Sequence, residues 1–174
     1  MYDDLIELAE FIAKRDAGRP KQASLRRAIS TAYYAVFHYL IDEVCSAQIG
    51  TQNTQRPYRH ALSRAFAHTV MKQACSGFGG GTLKHSVIKG LPRNQLGNYV
   101  VPKKIQNIAA TFAELQEKRH LADYDLAERF KRSEVLTMID QAKSHVEKFR
   151  SFAVCDDRKY FLACLSAWKD LINR

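Results

Sequence analysis

The stretch AISTAYYAVFHYLI, residues 28–41, contains no aspartate, glutamate, lysine or arginine. A helix that is apolar on nearly every side must be covered on nearly every side. The stretch therefore predicts the central helix of a helical bundle, or a helix that lies partly in a subunit interface. One face nevertheless carries polar groups, because seven residues make about two helical turns. These groups are Arg27, Thr31, Tyr34 and His38.

Helical periodicity continues along most of the 174 residues. Helices are predicted over residues 3–16, 21–47, 57–75, 102–120, 133–152 and 155–172, and no β-rich segment interrupts them. Residues 77–101 hold most of the glycines and follow no sustained period. The sequence thus predicts an all-α fold, an antiparallel bundle of about five to six helices in one domain (1–174), with a long loop inserted between the third and fourth helices.

The charge balance favours a polyanionic partner. The chain has 27 lysines and arginines against 18 aspartates and glutamates, a formal net charge of +9. Such an excess suggests RNA or DNA first and an acidic membrane surface second. No apolar run approaches the roughly 20 residues that span a bilayer, and the first residues are acidic, unlike a signal peptide. We therefore expect a cytoplasmic protein without a membrane partner.

Metal and cofactor chemistry has no signature in this sequence. The four cysteines are scattered without a C-x-x-C pair, and no H-E-x-x-H occurs. The glycine-rich GFGGGTLKH, residues 77–85, does not satisfy the pattern of a phosphate-binding P-loop and follows a helix rather than a strand. We therefore expect no metal and no cofactor.

Basic residues spaced by four run along the predicted third helix. They are Arg56, His60, Arg64, His68 and Lys72. Steps of four drift by about 40° each, so the residues form a slanted stripe on one helix. Two interpretations stay open, a solvated helix face and a strip that follows the phosphates of a nucleic acid.

The segment QEKRHLADYD, residues 116–125, ends the predicted fourth helix. Arg119 takes the next position on an apolar stripe, so it points where core residues point. Asp123 lies four residues later and can form an ordinary helical ion pair with it. We expect both to approach the polar face around Tyr34 and His38. Two interpretations stay open, a hydrogen-bond network that fixes helix register and a cleft that holds a phosphate and moves a proton.

Taken together, RRAISTAYYAVFH (26–38) and LQEKRHLADYD (115–125) resemble the HEPN superfamily, small helical domains of prokaryotic toxin–antitoxin and defence proteins. The resemblance is to the branch with the "AYYA…F" helix and the "R-x-x-A-D-Y" turn. It covers about residues 20–150, with 77–101 as an insertion and 155–172 as an additional C-terminal helix.

The resemblance implies a bundle of four or five helices, usually a homodimer with a shared cleft. Many members are metal-independent ribonucleases with an R-x(4–6)-H motif, which cut RNA by attack of the 2′-hydroxyl and leave a cyclic phosphate. Others are non-catalytic and bind nucleotides, RNA or a nucleotidyltransferase partner. This sequence departs from the ribonuclease motif, because Tyr124 stands five residues after Arg119 where a histidine would complete it.

We therefore hypothesise a HEPN-like homodimer that binds RNA, with cleavage left open, in a toxin–antitoxin or defence setting with an antitoxin or nucleotidyltransferase-type partner. The candidate catalytic residues are Arg119, His120, Asp123, Tyr124 and His38. The candidate RNA-binding residues are Arg26, Arg27, Arg56, Arg59 and Arg64. The alternative is a non-catalytic dimeric interaction or nucleotide-binding module whose polar cluster is structural.

Overall fold

The computed structural model describes residues 1–80, 83–89 and 99–172. Over these residues the chain is all-α, as the sequence predicts, and contains no strand. Its helices are α1 (Tyr2–Lys14), α2 (Gln22–Ile49), α3 (Arg56–Ser63), α4 (His68–Gly79), α5 (His85–Ile88), α6 (Lys103–Tyr124), α7 (Arg132–Arg150) and α8 (Asp156–Ile172). These eight helices exceed the predicted five to six.

The prediction of one continuous helix over residues 57–75 was wrong. Helix α3 ends at Ser63, and Ala67 adopts an extended backbone (φ −106°, ψ 130°) just before α4 begins at His68. Residues 63–67 contain neither glycine nor proline, so the break had no local signal. Tertiary packing explains it, because Phe66 packs against the core and His68 turns toward Tyr33.

The predicted inserted loop contains ordered structure where it is described. Residues 77–79 complete α4, and the short helix α5 follows at His85–Ile88. Val87 is fully buried, which anchors α5 to the core. Residues 81–82 and 90–98 of the predicted loop lie outside the described residues.

Helix α2 is the centre of the fold, which agrees with its charge-free stretch. It packs against α1, α3, α6, α7 and α8. Every residue from 28 to 41 is buried except Tyr34 and His38, which are half-buried. Each fully buried aliphatic or aromatic side chain contributes about 1.5–3 kcal/mol, so this one helix accounts for much of the core. Its cover comes from the same chain, and no described helix is both long and apolar enough to cross a membrane.

The helices α4 and α6 approach closely at Gly79. A Cβ atom built there would lie 2.8 Å from the backbone nitrogen of Ala110 in α6. That separation is shorter than real Cβ contacts, so the contact depends on the absence of a side chain.

Candidate functional site

Arg119 lies on the inner face of α6, near the carboxyl end of the helix. The preceding members of its stripe, Ile105, Ile108, Phe112 and Leu115, are buried. The Arg119 side chain is 19% exposed, and its Nε lies 2.7 Å from Oδ2 of Asp123. The Nε–H bond does not point at the carboxylate, so the contact is an ion pair without an aligned hydrogen bond. The predicted pairing of Arg119 with Asp123 is therefore present.

The ion pair is joined to α2 through the other carboxylate oxygen. Ser30 Oγ donates a hydrogen bond to Oδ1 of Asp123 at 2.7 Å. The Nη2 of Arg119 lies 3.4 Å from the hydroxyl of Tyr34, a long hydrogen bond. We call Arg119, Asp123, Ser30 and Tyr34 the Arg119 cluster. It connects α6 with the polar face of α2.

Three tyrosine rings surround the guanidinium. Its Cζ lies 5.9 Å from the ring centre of Tyr33 and 5.8 Å from those of Tyr34 and Tyr124. Cation–π contacts at such distances contribute about 0.5–2 kcal/mol, more as the site loses water. Burial lowers the pKa of Arg119, but Tyr34 and the Asp123 carboxylate raise it more, so its pKa lies above the ordinary value. The guanidinium thus stays charged at any physiological pH.

His68 belongs beside this cluster, although the sequence suggested a solvent-facing line. Its Nδ1 lies 2.5 Å from the hydroxyl of Tyr33, and its ring stacks on Phe37 at 4.1 Å between centres. Burial, and then the charge of Arg119, lower the pKa of His68. Sequence reasoning missed this histidine because it assumed that α3 and α4 were one helix.

The two predicted proton carriers flank the Arg119 cluster. The ring of His38 lies 6.2 Å from that of Tyr34, and burial lowers the pKa of His38. His120 is exposed, with its ring 5.0 Å from that of Tyr124. Within the described part of the chain, neither histidine forms a hydrogen bond with Arg119. The ring of Tyr34 lies between His38 and the guanidinium, and the ring of Tyr124 lies between His120 and the guanidinium.

Two of the predicted RNA-binding arginines donate their guanidinium hydrogen bonds to backbone carbonyls. The guanidinium of Arg26 donates to the carbonyl oxygens of Ala122 at 2.7 Å, Asp125 at 2.8 Å and Glu128 at 2.7 Å. It thereby satisfies carbonyls at the carboxyl end of α6, which the helix itself leaves without donors. Arg59 donates in the same way to the carbonyls of residues 50 and 52, after the end of α2.

The other three predicted RNA-binding arginines are exposed. Arg27, Arg56 and Arg64 form no side-chain hydrogen bond or ion pair within the ranges that the structure describes. Arg56 lines a pocket of about 350 Å³ with His38, Asp42 and His60. These arginines keep their donors available for an anion.

The predicted basic line is not one face. The break at residues 64–67 separates its first members from His68 and Lys72, which lie on α4. His68 points toward Tyr33, and Lys72 pairs with Glu117 of α6 at 3.1 Å. The interpretation of one continuous stripe was therefore wrong, because it required one continuous helix.

The cluster offers a fixed cation with one available nitrogen. Nη1 of Arg119 forms no hydrogen bond with any described residue. No group of three histidine, cysteine or carboxylate side chains that could hold a metal occurs in residues 1–80, 83–89 and 99–172. The described side chains can thus supply an anion contact, hydroxyl groups and imidazoles.

No protein-family model, curated protein or solved structure matches this chain.

Proposed function

We propose that this is a HEPN-like RNA-acting protein in which Arg119 binds a phosphate of the RNA backbone. The observation that carries the proposal is the setting of Arg119, a charged side chain 19% exposed and held between Asp123 and three tyrosine rings. A guanidinium fixed in this way contacts phosphate oxygens at little further cost in side-chain entropy. The exposed Arg27, Arg56 and Arg64 add backbone contacts in this proposal.

The same site is proposed to cut RNA without a metal. The 2′-hydroxyl loses its proton to a neutral imidazole, and its oxygen attacks the adjacent phosphorus. The bond to the 5′-oxygen breaks, that oxygen takes up a proton, and a 2′,3′-cyclic phosphate remains. Arg119 stabilises the charge that develops on the phosphate, and His38 and His120 are the proton carriers. Asp123 and Tyr124 orient Arg119 and His120.

The biological setting is proposed on the family resemblance. It suggests a homodimer in a toxin–antitoxin or defence system, with an antitoxin or a nucleotidyltransferase-type protein as partner. Because α2 is covered by its own chain, its apolar character adds nothing to the expectation of a dimer.

A second candidate is a non-catalytic interaction or nucleotide-binding module. The observation that favours it is the engagement of Asp123 by both Arg119 and Ser30, which fixes α6 on α2. In that case the cluster sets helix register, and its removal costs stability rather than activity.

Incubation with total RNA and tRNA in the presence of EDTA tests the first proposal. We expect the wild type to leave 2′,3′-cyclic phosphate ends and Arg119→Ala to lose at least tenfold in rate, about 1.4 kcal/mol of transition-state stabilisation. Lys148→Ala is the matched control, since Lys148 is an exposed cation of α7. It should cut at the wild-type rate.

Two results would contradict catalysis at this site. Cleavage by Arg119→Ala at the wild-type rate would assign the activity to other residues or to a contaminant. Absence of cleavage by the wild type, with RNA binding retained, would leave an RNA-binding protein. His120→Ala and His38→Ala, measured separately, assign the proton carriers. Replacement of a histidine that carries a proton should lower the cleavage rate while the protein stays folded.

A further inference from the structure

A basic pocket of about 840 Å³ lies between the α1–α2 and α6–α7 connections. Its volume is in the upper part of the range of ligand clefts, about 300–1,000 Å³. Five cationic side chains line it, and none of its lining residues is acidic. The cations are Arg19, Lys21, Arg129, Lys131 and Arg132.

The pocket is built by a reciprocal contact between the starts of two helices. The side-chain amide of Gln22 donates to the carbonyl oxygen of Phe130 at 2.9 Å and accepts from its backbone nitrogen at 3.0 Å. Gln22 begins α2, and Phe130 lies two residues before α7 begins. The amino ends of α2 and α7 are thereby held together at one pocket. Each end adds roughly half a positive charge from its helix dipole.

Most of the cationic groups in the pocket have no acidic partner. Arg19, Lys21 and Arg129 are exposed, and their side chains form no ion pair with the residues described. Lys131 lies 3.3 Å from Glu134. The Nη2 of Arg132 donates to the backbone carbonyl of residue 16 at 2.5 Å, while its Nε is buried without a hydrogen-bond partner. Glu134 and Asp16, whose Oδ2 accepts from the backbone nitrogen of Lys21 at 3.0 Å, are acidic groups beside the pocket. Five cationic side chains outnumber these two carboxylates, so the pocket keeps a net positive charge.

The pocket adjoins the Arg119 cluster through Arg26. The Cζ of Arg26 lies 5.6 Å from the ring centre of Phe130, a wall of the pocket. The same guanidinium donates to the carbonyl of Ala122, the residue before Asp123. Arg26 thus connects a wall of the pocket with the end of α6 that carries Asp123.

We propose that the basic pocket is a binding site for phosphate groups, which an RNA strand supplies from its backbone. The choice of RNA as the source rests on the proposed function, whereas the phosphate chemistry rests on the pocket alone. In this arrangement Arg19, Lys21 and Arg129 hold the strand, and Arg119 contacts the phosphate at which the chemistry takes place. The principal RNA contact is thus this pocket and not α3.

The test compares binding of a fluorescein-labelled oligouridine by two charge-matched double variants. Arg19→Gln with Arg129→Gln removes two exposed cations of the pocket. Lys148→Gln with Lys159→Gln removes two exposed cations elsewhere, and Lys148 lies about 24 Å along α7 from Arg132. We expect the pocket variant to bind more weakly and to lower the slope of log K against log salt by about 1.4. The control should keep the wild-type slope.

The outcomes separate the pocket from the proposed function. If the wild type binds RNA and the pocket variant keeps its affinity and salt slope, the pocket proposal is overturned and the proposed function stands. If the wild type does not bind RNA, the proposed function fails. A thermal-shift measurement with inorganic tripolyphosphate then tests whether the pocket binds phosphate groups. Stabilisation of the wild type and not of the pocket variant supports a phosphate site with a free polyphosphate source, and no stabilisation overturns it.

Discussion

Arg119 stands at a position of α6 where the helix pattern demands an apolar side chain, and its neighbours explain how the fold accepts it. The charge is balanced by Asp123, and the flat faces of the guanidinium lie among tyrosine rings. A half-buried ion pair of this kind contributes little net stability, but removal of one partner leaves the other without compensation. The residue can thus be structural and functional at once, and only a measurement that separates stability from activity distinguishes the two roles.

Arg119→Ala should lower the free energy of unfolding by about 1–2 kcal/mol, because Asp123 loses its cation and keeps only the hydrogen bond from Ser30. Arg119→Lys should recover part of the loss, since it restores the charge without the planar group. Urea unfolding followed by circular dichroism measures both. Equal stability of wild type and Arg119→Ala would show that the pair does not hold α6 on α2.

At the scale of the element, one arginine of α2 completes the end of α6. Arg26 reaches three backbone carbonyls at 2.7–2.8 Å, two of them beyond the last residue of that helix. The last turn of α6, which carries Tyr124, is therefore held in place by a side chain of α2. A site at a helix end needs such support, because the last four carbonyls of a helix have no partner within it.

Arg26→Ala should destabilise the protein by about 1–3 kcal/mol, because several partly buried carbonyls lose their donor. The adjacent Arg27→Ala is a matched control. Its side chain is exposed and forms no described contact, so its effect should stay within about 0.5 kcal/mol. Thermal unfolding of the two variants measures the difference, and similar melting temperatures would refute the assigned role of Arg26.

The elements that the sequence predicted well are those whose ends carry their own signals. Helix α1 stops before Gly18, which has φ of 70°, and α2 stops before Gly50, with φ of 103°. The end of α3 depends on distant packing instead, so periodicity could not locate it. The same applies to the pairing of Gln22 with Phe130, since nothing local joins residues 108 positions apart.

The site was predictable to the extent that helix geometry fixes it. A spacing of four placed Asp123 beside Arg119, and the stripe on α2 placed Tyr34 opposite them. His68 could not be assigned, because its orientation depends on the break before α4. The basic pocket could not be predicted for another reason. Its cations come from two connections that are far apart in sequence, and neither connection contains a recognisable binding motif.

At the scale of the whole molecule, three half-buried histidines make stability depend on pH. Burial lowers the pKa values of His38, His68 and His145 from the ordinary value of 6.5. The unfolded chain therefore binds protons that the folded chain does not. Stability from this source is complete above about pH 6.5 and is lost as the pH falls toward the lowered folded-state values.

The free energy of unfolding should accordingly decrease as the pH falls below 6.5, and His68→Gln should make that decrease shallower. Urea unfolding at a series of pH values gives the slope. A slope that is the same in the variant would mean that His68 protonates as easily in the folded protein as in the unfolded chain.

The close approach of α4 and α6 at Gly79 has a consequence for how this protein can vary. Even an alanine there would place its Cβ 2.8 Å from the backbone of Ala110. The arginines of the candidate sites can be exchanged at a cost in function, but any other residue at this position would push two helices apart. A distant relative that has lost every candidate functional side chain should therefore still carry glycine at position 79. Common ancestry would then be visible at a residue that packing requires and that takes no part in function.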